Sequence, residues 1–167
     1  MSEDKKWYAI YTKSRAEKKT GQTLTEMGID HYLPMQTIVK QWSDRKKKVE
    51  EPLFKSYLFV HVTLPKETQT ILSINGVVKF VRTGKELNPV RAEVIEAIKL
   101  SLLHYTEIET THANLNINQK VRVIGGPLKG YEGKIIQKKG NLYFALEIEE
   151  LGSHMLLKVP SSYLEPI

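Results

Sequence analysis

Val121-Arg122-Val123-Ile124-Gly125-Gly126-Pro127-Leu128-Lys129-Gly130-Tyr131-Glu132-Gly133-Lys134-Ile135 is the stretch on which the reading of the fold turns. It opens on alternation, with Val121 and Val123 on one side and Arg122 on the other, as a half-buried strand does. Gly126-Pro127 then sets a turn, while Gly130 and Gly133 permit positive φ or close approach between strands. The same four residues oppose a continuous helix, so the local preference is β. Further along, residues 143–148 and 155–159 are again short and apolar, and Gly-containing turns separate them. Strands recurring at roughly ten-residue spacing predict a small β-barrel over residues 117–167.

Working back toward the N-terminus, residues 104–116 are rich in Thr, Glu and Asn without apolar periodicity, and read as a linker. Residues 1–103 read as a separate domain. In it, residues 7–11 form an aromatic strand. Ser14, with Glu17 three residues on, has the spacing of a capping box for a helix over 15–27, and Gly28 ends that helix. Residues 31–39 are extended, with Pro34 favouring an edge, and residues 40–48 are a polar, charge-dense excursion. A strand over 53–62, a short helix over 66–74 closed by Asn75-Gly76, a strand over 77–82 and a helix over 91–103 complete the half. This succession predicts an α+β, ferredoxin-like layer: a mainly antiparallel sheet with helices on one face and the other face open.

Charge points the same way. The 167 residues carry 25 basic and 19 acidic side chains, a net +6. Residues 1–100 hold 18 basic and 12 acidic of these (+6), residues 101–116 none and two (−2), and residues 117–167 seven and five (+2). Any polyanion would therefore meet the first hundred residues. With 41% hydrophobic residues the chain can bury a core. No apolar run of about 18 residues exists to span a bilayer, and the polar N-terminus does not read as a signal peptide. The absence of cysteine excludes disulfides and zinc-thiolate sites and suits a reducing cytoplasm.

The glycine-punctuated stretch resembles the KOW motif of transcription elongation factors and several ribosomal proteins, carried here by Val123, Gly126, Pro127, Gly130 and Gly133. Before it stand, in order, Trp7-Tyr8-Ala9-Ile10-Tyr11, then Glu51-Pro52-Leu53-Phe54-Lys55-Ser56-Tyr57-Leu58-Phe59-Val60, then Gly76-Val77-Val78-Lys79-Phe80-Val81. Together these resemble the NusG family of transcription elongation factors over nearly the whole chain. The family usually has Pro-Gly-Tyr where this chain has Lys55-Ser56-Tyr57. The text around Gln41-Trp42-Ser43-Asp44-Arg45-Lys46-Lys47 is most similar to specialised paralogues, RfaH-like and closest to the UpxY-type antiterminators of Bacteroidetes.

That resemblance implies a binding adaptor without catalysis or cofactor, cytoplasmic and monomeric. Its N-terminal domain would dock on the clamp helices of RNA polymerase, and its KOW domain would recruit NusE, a ribosomal protein, or the termination factor Rho. By motif position the polymerase-facing set is Tyr11, Tyr57, Phe59, Phe80 and Ile95. Alternation within strands puts Trp7, Ala9 and Tyr11 on one face of the first strand, and Tyr57 and Phe59 on one face of another. Exposed aromatics in a group mark a partner surface. Lys13, Arg15, Lys18 and Lys19 fall where relatives meet non-template DNA, although Thr23 and Met27 replace polar readers found in RfaH. Trp42 with Arg45, Lys46 and Lys47 is a second nucleic-acid candidate, since Lys and Arg neutralise phosphates and an indole stacks on unpaired bases. Thr68, Gln69 and Thr70 stand where relatives touch the polymerase gate loop, without their His-Thr-Thr order.

Nothing in the residues supports catalysis. The five histidines show no metal-ligand spacing, and there is no phosphate-binding loop or nucleophile elbow. The competing expectation is a ribosome-associated RNA-binding KOW protein. An apolar aromatic sheet argues against it, because such a protein needs phosphate contacts more than a hydrophobic docking face.

Overall fold

The computed structural model describes residues 4–112 and 119–167; the end of the expected linker and the first residues of the expected KOW domain lie outside them. The chain divides into two compact units, Met1–Ala92 and Glu93–Ile167. This division falls at the first residue of the last N-terminal helix; the boundary expected from the sequence follows residue 103.

The first unit contains β1 (Lys6–Thr12), α1 (Glu17–Glu26), β2 (His31–Tyr32), β3 (Met35–Gln41), β4 (Lys46–Pro52), β5 (Tyr57–Val62), α2 (Thr68–Leu72) and β6 (Val77–Phe80). Its main sheet is four-stranded in the order β2-β5-β1-β6, and β1 lies antiparallel to both its neighbours. With β3 and β4 set aside as a separate two-stranded ribbon, the succession is β-α-β-β-α-β. Alternation along β1 turns Tyr8 and Ile10 inward, where they meet Leu58, Val60 and Val62 of β5 and Val77 and Phe80 of β6. Leu24 of α1 and Ile71 of α2 close this core from one side. Each such side chain fully withdrawn from water contributes about 1.5–3 kcal/mol.

Local chemistry departs from the sequence expectation at three places. Arg15 lies at φ +61°, so α1 begins at Glu17 instead of residue 15, with Ala16 at its N-cap and no side-chain cap. Ser14 therefore does not cap, and the Glu17 carboxylate is engaged elsewhere. α2 is shorter than residues 66–74 because its entry is held differently: the Thr63 N–H donates to Glu67 Oε2 (2.7 Å), and the Glu67 N–H to the Thr63 carbonyl (3.0 Å). The polar excursion is not irregular. It is the outer half of the β3–β4 ribbon, in register from Met35↔Pro52 to Gln41↔Lys46.

The second unit takes in α3 (Ala92–His104) from its second residue and continues through β7 (Glu109–Thr111), β8 (Gln119–Val123), β9 (Glu132–Lys138), β10 (Asn141–Ile148), β11 (Ser153–Leu157) and β12 (Leu164–Pro166). These strands form one sheet in the order β12-β8-β9-β10-β11-β7. Its outermost strands, β12 and β7, are not paired with each other among the described residues, so the expected barrel appears as an open six-stranded sheet. One face carries Val121, Val123, Phe144, Ile148 and Met155, all buried. Gly133 is required there: a Cβ would sit 2.5 Å from the Ala145 carbonyl oxygen and 2.7 Å from the Phe144 ring. Residues 104–116, expected as a linker, instead supply the end of α3, the buried Ile108 and strand β7. β7 pairs along β11 from Leu156↔Glu109 to His154↔Thr111, and Lys138 Nζ bonds Glu109 Oε2 at 2.9 Å. α3 joins this unit through a hydrogen bond from the Tyr131 hydroxyl to the Glu93 carbonyl (2.9 Å).

Candidate protein and nucleic-acid interface

The face of the main sheet turned away from α1 and α2 carries an aromatic row. Cross-strand partners on β1 and β5 place Trp7 beside His61, Ala9 beside Phe59 and Tyr11 beside Tyr57. Trp7 and His61 stack with centroids 4.7 Å apart, and Tyr11 meets Tyr57 edge-on at 5.3 Å. Phe59 lies between them, fully buried beneath Tyr32 and Phe54, whose rings are each 6.4 Å away. Tyr11 and Tyr57 remain half-exposed at the end of the row. Burial, and then the neighbouring Tyr11, push the Tyr57 phenol above its ordinary range, so it stays neutral at physiological pH.

The five expected docking residues do not form one exposed set. Phe80 is paired with Ile10 and belongs to the helix-covered core, because the register between β1 and β6 shifts at Tyr11/Thr12. Ile95 is buried on α3, in the other unit, and Phe59 is interior. Tyr11 and Tyr57 are what that set leaves at the surface. Their neighbours escaped sequence reasoning. Lys79 is the cross-strand partner of Tyr11, and Lys55 immediately precedes the Ser56-Tyr57 corner; both are exposed. Only the strand register reveals Lys79. Lys55 was visible as part of the departure from Pro-Gly-Tyr.

That corner is built from two ends. The Tyr57 N–H reaches the Phe54 carbonyl (3.4 Å), closing a turn whose third residue, Ser56, sits at φ +67°. Turns of this shape ask for glycine at that position. The Ser56 N–H donates to Glu17 Oε2 (3.2 Å), and its carbonyl accepts from the Thr12 N–H (2.8 Å). Glu17 is buried.

The basic candidates fall on two elements. Lys13, Arg15, Lys18 and Lys19 are all exposed on the β1–α1 connection and the first turns of α1. The Lys13 N–H donates to the Gly76 carbonyl (2.9 Å), and its Nζ lies 3.4 Å from Asn75 Oδ1, which ties this connection to the turn before β6. The second group stands on the β3–β4 ribbon. Lys40 and Lys47 share one face, Gln41 and Lys46 the other, and the Trp42 N–H donates to the Arg45 carbonyl (2.7 Å) to close the tip. Trp42 is 51% exposed, a large apolar side chain left in water. Acidic Glu50 and Glu51 lie nearer the base, Glu51 reaching up to Lys40 at 3.4 Å, and Asp44 lies in the tip turn. Thr68, Gln69 and Thr70 form the first turn of α2, with Gln69 and Thr70 exposed.

In the second unit the glycine-rich stretch joins β8 to β9. The Gly130 N–H bonds the Val123 carbonyl (2.8 Å) and the Val123 N–H the Tyr131 carbonyl (2.9 Å), while Leu128 is drawn inside. Val123 is buried, and Gly126 and Pro127 are exposed at the turn. Among the described residues no group of three or more His, Asp or Glu could hold a metal ion, and no helix is long and apolar enough to cross a membrane.

Comparison with known proteins gives this surface its context. The family described as transcription termination factor nusG matches residues 5–99. Transcription termination/antitermination protein NusG of Streptococcus pyogenes serotype M3 is 26% identical over 151 residues, covering 83% of each chain. The serotype M1 protein is similar to the same extent. A solved structure described as "Domain interaction in Thermotoga maritima NusG" is similar in fold, with TM-score 0.60 at 22% identity over 98% of this chain and 97% of that one. The family match spans more than half of the chain and takes in both the aromatic row and the basic ribbon, so the chain belongs to the NusG family of transcription termination and antitermination factors.

Proposed function

We propose that this protein acts during transcription elongation by binding alone. Its Tyr11–Tyr57 corner docks on the clamp helices of RNA polymerase. Lys13, Arg15, Lys18 and Lys19 meet the exposed non-template DNA strand, and the ribbon residues Trp42, Arg45, Lys46 and Lys47 hold nucleic acid beside the transcription bubble. Thr68, Gln69 and Thr70 face the gate loop. The KOW stretch of the C-terminal unit engages NusE or Rho. The charged ribbon favours a specialised antiterminator over a general factor, working as a cytoplasmic monomer.

One observation carries the reading: two half-exposed tyrosines in edge contact lie on the sheet face turned away from α1 and α2, next to Lys55 and Lys79. Aromatic side chains supply contact area with few rotamers to freeze, and adjacent lysines add attraction to an acidic partner. The test is capture of a polymerase clamp-helix fragment by the intact protein. Tyr57→Ala is expected to weaken capture about tenfold, the scale of a contact at the centre of an interface. Undiminished capture by Tyr57→Ala overturns the docking assignment. Co-sedimentation with ribosomal subunits independent of transcription overturns the elongation reading as a whole.

A further inference from the structure

We infer that Glu17 is a positioning residue for the docking corner: its buried carboxylate holds the Ser56 backbone in a conformation that glycine adopts freely, and thereby sets Tyr57 against Tyr11. The inference rests on the docking role proposed for Tyr57, and it adds how that side chain is held in place.

The argument starts from the backbone. A serine at φ +67° is in the left-handed region, which a side chain disfavours and glycine does not. In isolation the Phe54–Tyr57 turn would therefore relax toward other conformers. Two contacts oppose that relaxation, one on each peptide group of Ser56. The Thr12 N–H, from the end of β1, holds its carbonyl at 2.8 Å. The Glu17 carboxylate, from the first turn of α1, holds its N–H at 3.2 Å. Thr12 follows Tyr11, and Ser56 precedes Tyr57. The clamp thus fixes the two residues adjacent to the tyrosine pair and orients the rings that meet at 5.3 Å.

The placement of Glu17 speaks for this purpose. At 5% exposure it is nearly removed from water, an unusual position for a carboxylate. It stands three residues beyond Ser14, the spacing of a capping box, yet its hydrogen bond goes to a residue 39 positions away. A carboxylate accepting from a backbone N–H makes one of the stronger hydrogen bonds available to a turn. The device replaces, with a side chain from another element, the conformational freedom that Ser56 lacks.

The experiment compares Glu17→Ala, Glu17→Gln, Ser56→Gly and the double variant Glu17→Ala/Ser56→Gly in the full chain. Binding of the clamp-helix fragment is measured for each, beside urea unfolding and nuclear magnetic resonance of the Ser56 amide and the two tyrosine rings. Without its carboxylate the turn is competent for only a fraction of the time, and affinity falls by that fraction, about tenfold. Glu17→Gln, which still presents an acceptor oxygen, keeps most of the affinity. Adding Ser56→Gly to Glu17→Ala restores binding to within about twofold of Ser56→Gly alone, because glycine holds the turn unaided. General loss of stability is not repaired in this way, so the rescue separates positioning from mere structure. Should Glu17→Ala fail to fold, Glu17→Gln against Glu17→Gln/Ser56→Gly carries the same comparison.

Parent-like affinity in Glu17→Ala, or no recovery in the double variant, overturns the inference. The resonance arm keeps it distinct from the docking reading. A Ser56 amide slow to exchange in the parent, fast in Glu17→Ala and with the Tyr11–Tyr57 ring contact restored by Ser56→Gly, supports the clamp even where Tyr57→Ala leaves polymerase capture intact. An amide unchanged by Glu17→Ala sinks the clamp whatever the capture experiment gives.

Discussion

Gly133 is where one hydrogen atom decides the packing of the C-terminal sheet. β9 crosses so close to β10 that a methyl group would press on the Ala145 carbonyl and on the Phe144 ring together. Backbone cannot move aside as a flexible side chain does, so Gly133→Ala is expected to cost about 1–3 kcal/mol, the range for overpacking a well-filled core. Urea unfolding followed in the far ultraviolet reads the loss; an unchanged midpoint would show that the two strands are further apart than described. His154, on β11, makes a second prediction at this scale. Its Nδ1 is buried without a hydrogen-bond partner among the described residues. Burial pulls its pKa below the ordinary imidazole value, with Lys134 acting in the same direction and Glu147 against. The unfolded chain therefore binds a proton in a pH window where the folded chain does not, from the ordinary value near 6.5 down to the lowered one. Stability is highest above that window and declines as the pH falls through it. In His154→Gln this part of the acid dependence should vanish, as unfolding curves between about pH 7.5 and 5 would show.

Among elements, the β3–β4 ribbon behaves unlike any other. Among the described residues it is joined to no third strand, both its faces are basic toward the tip, and a tryptophan crowns it. Stacking and charge can be separated there. Trp42→Ala should weaken binding of single-stranded DNA by about 1–3 kcal/mol while leaving duplex binding nearly unchanged, since stacking needs an unpaired base. Lys46→Ala/Lys47→Ala should weaken both and lower the slope of log affinity against log salt by about 1.8 for duplex or 1.4 for single strands. Equal losses for Trp42→Ala on the two substrates, in a fluorescence titration, would rule out stacking. The ribbon also shows why parts of this chain were illegible beforehand. Lys46–Pro52 has solvent on both faces, so no apolar alternation marks it as a strand, and its pairing with β3 is a long-range fact. β1, β5 and β10 could be read because each is a short apolar run, buried over consecutive residues at its centre, and such a run bounded by turn signals is visible in the sequence. That Phe80 faces inward opposite Ile10, on the same side as Val77, could not be read, because it depends on the register shift at Tyr11/Thr12 and nothing local announces such a shift. The tyrosine pair was legible as a shared face; the clamp behind it, spanning 39 positions, was not.

At the scale of the whole molecule the order of motifs proved more informative than any boundary drawn between them. The succession of aromatic strand, basic excursion and second aromatic strand lies within residues 5–99, the part of the chain that the NusG family model matches. Within the expected linker, three polar residues without periodicity, Glu109-Thr110-Thr111, complete a sheet edge because β11 is there to pair with them. Charge is likewise distributed for the molecule as a whole: the surplus lies in the first hundred residues, while the remainder is nearly balanced.

The polarised ribbon has a consequence in time as well as in affinity. With Arg45, Lys46, Lys47 and Lys48 toward the tip against Asp44 alone, and Glu50 and Glu51 nearer the root, the gradient of charge along the finger turns the approaching protein tip-first in the field of a polyanion. Productive encounters then become more frequent before any contact forms, so Lys46→Ala/Lys47→Ala should slow association with DNA more than it hastens dissociation. Stopped-flow traces at rising ionic strength should bring the two proteins together as the Debye length shrinks to about 8 Å near physiological salt and to about 3 Å at 1 M. A gap that persists at high salt would mean that these lysines matter only after arrival.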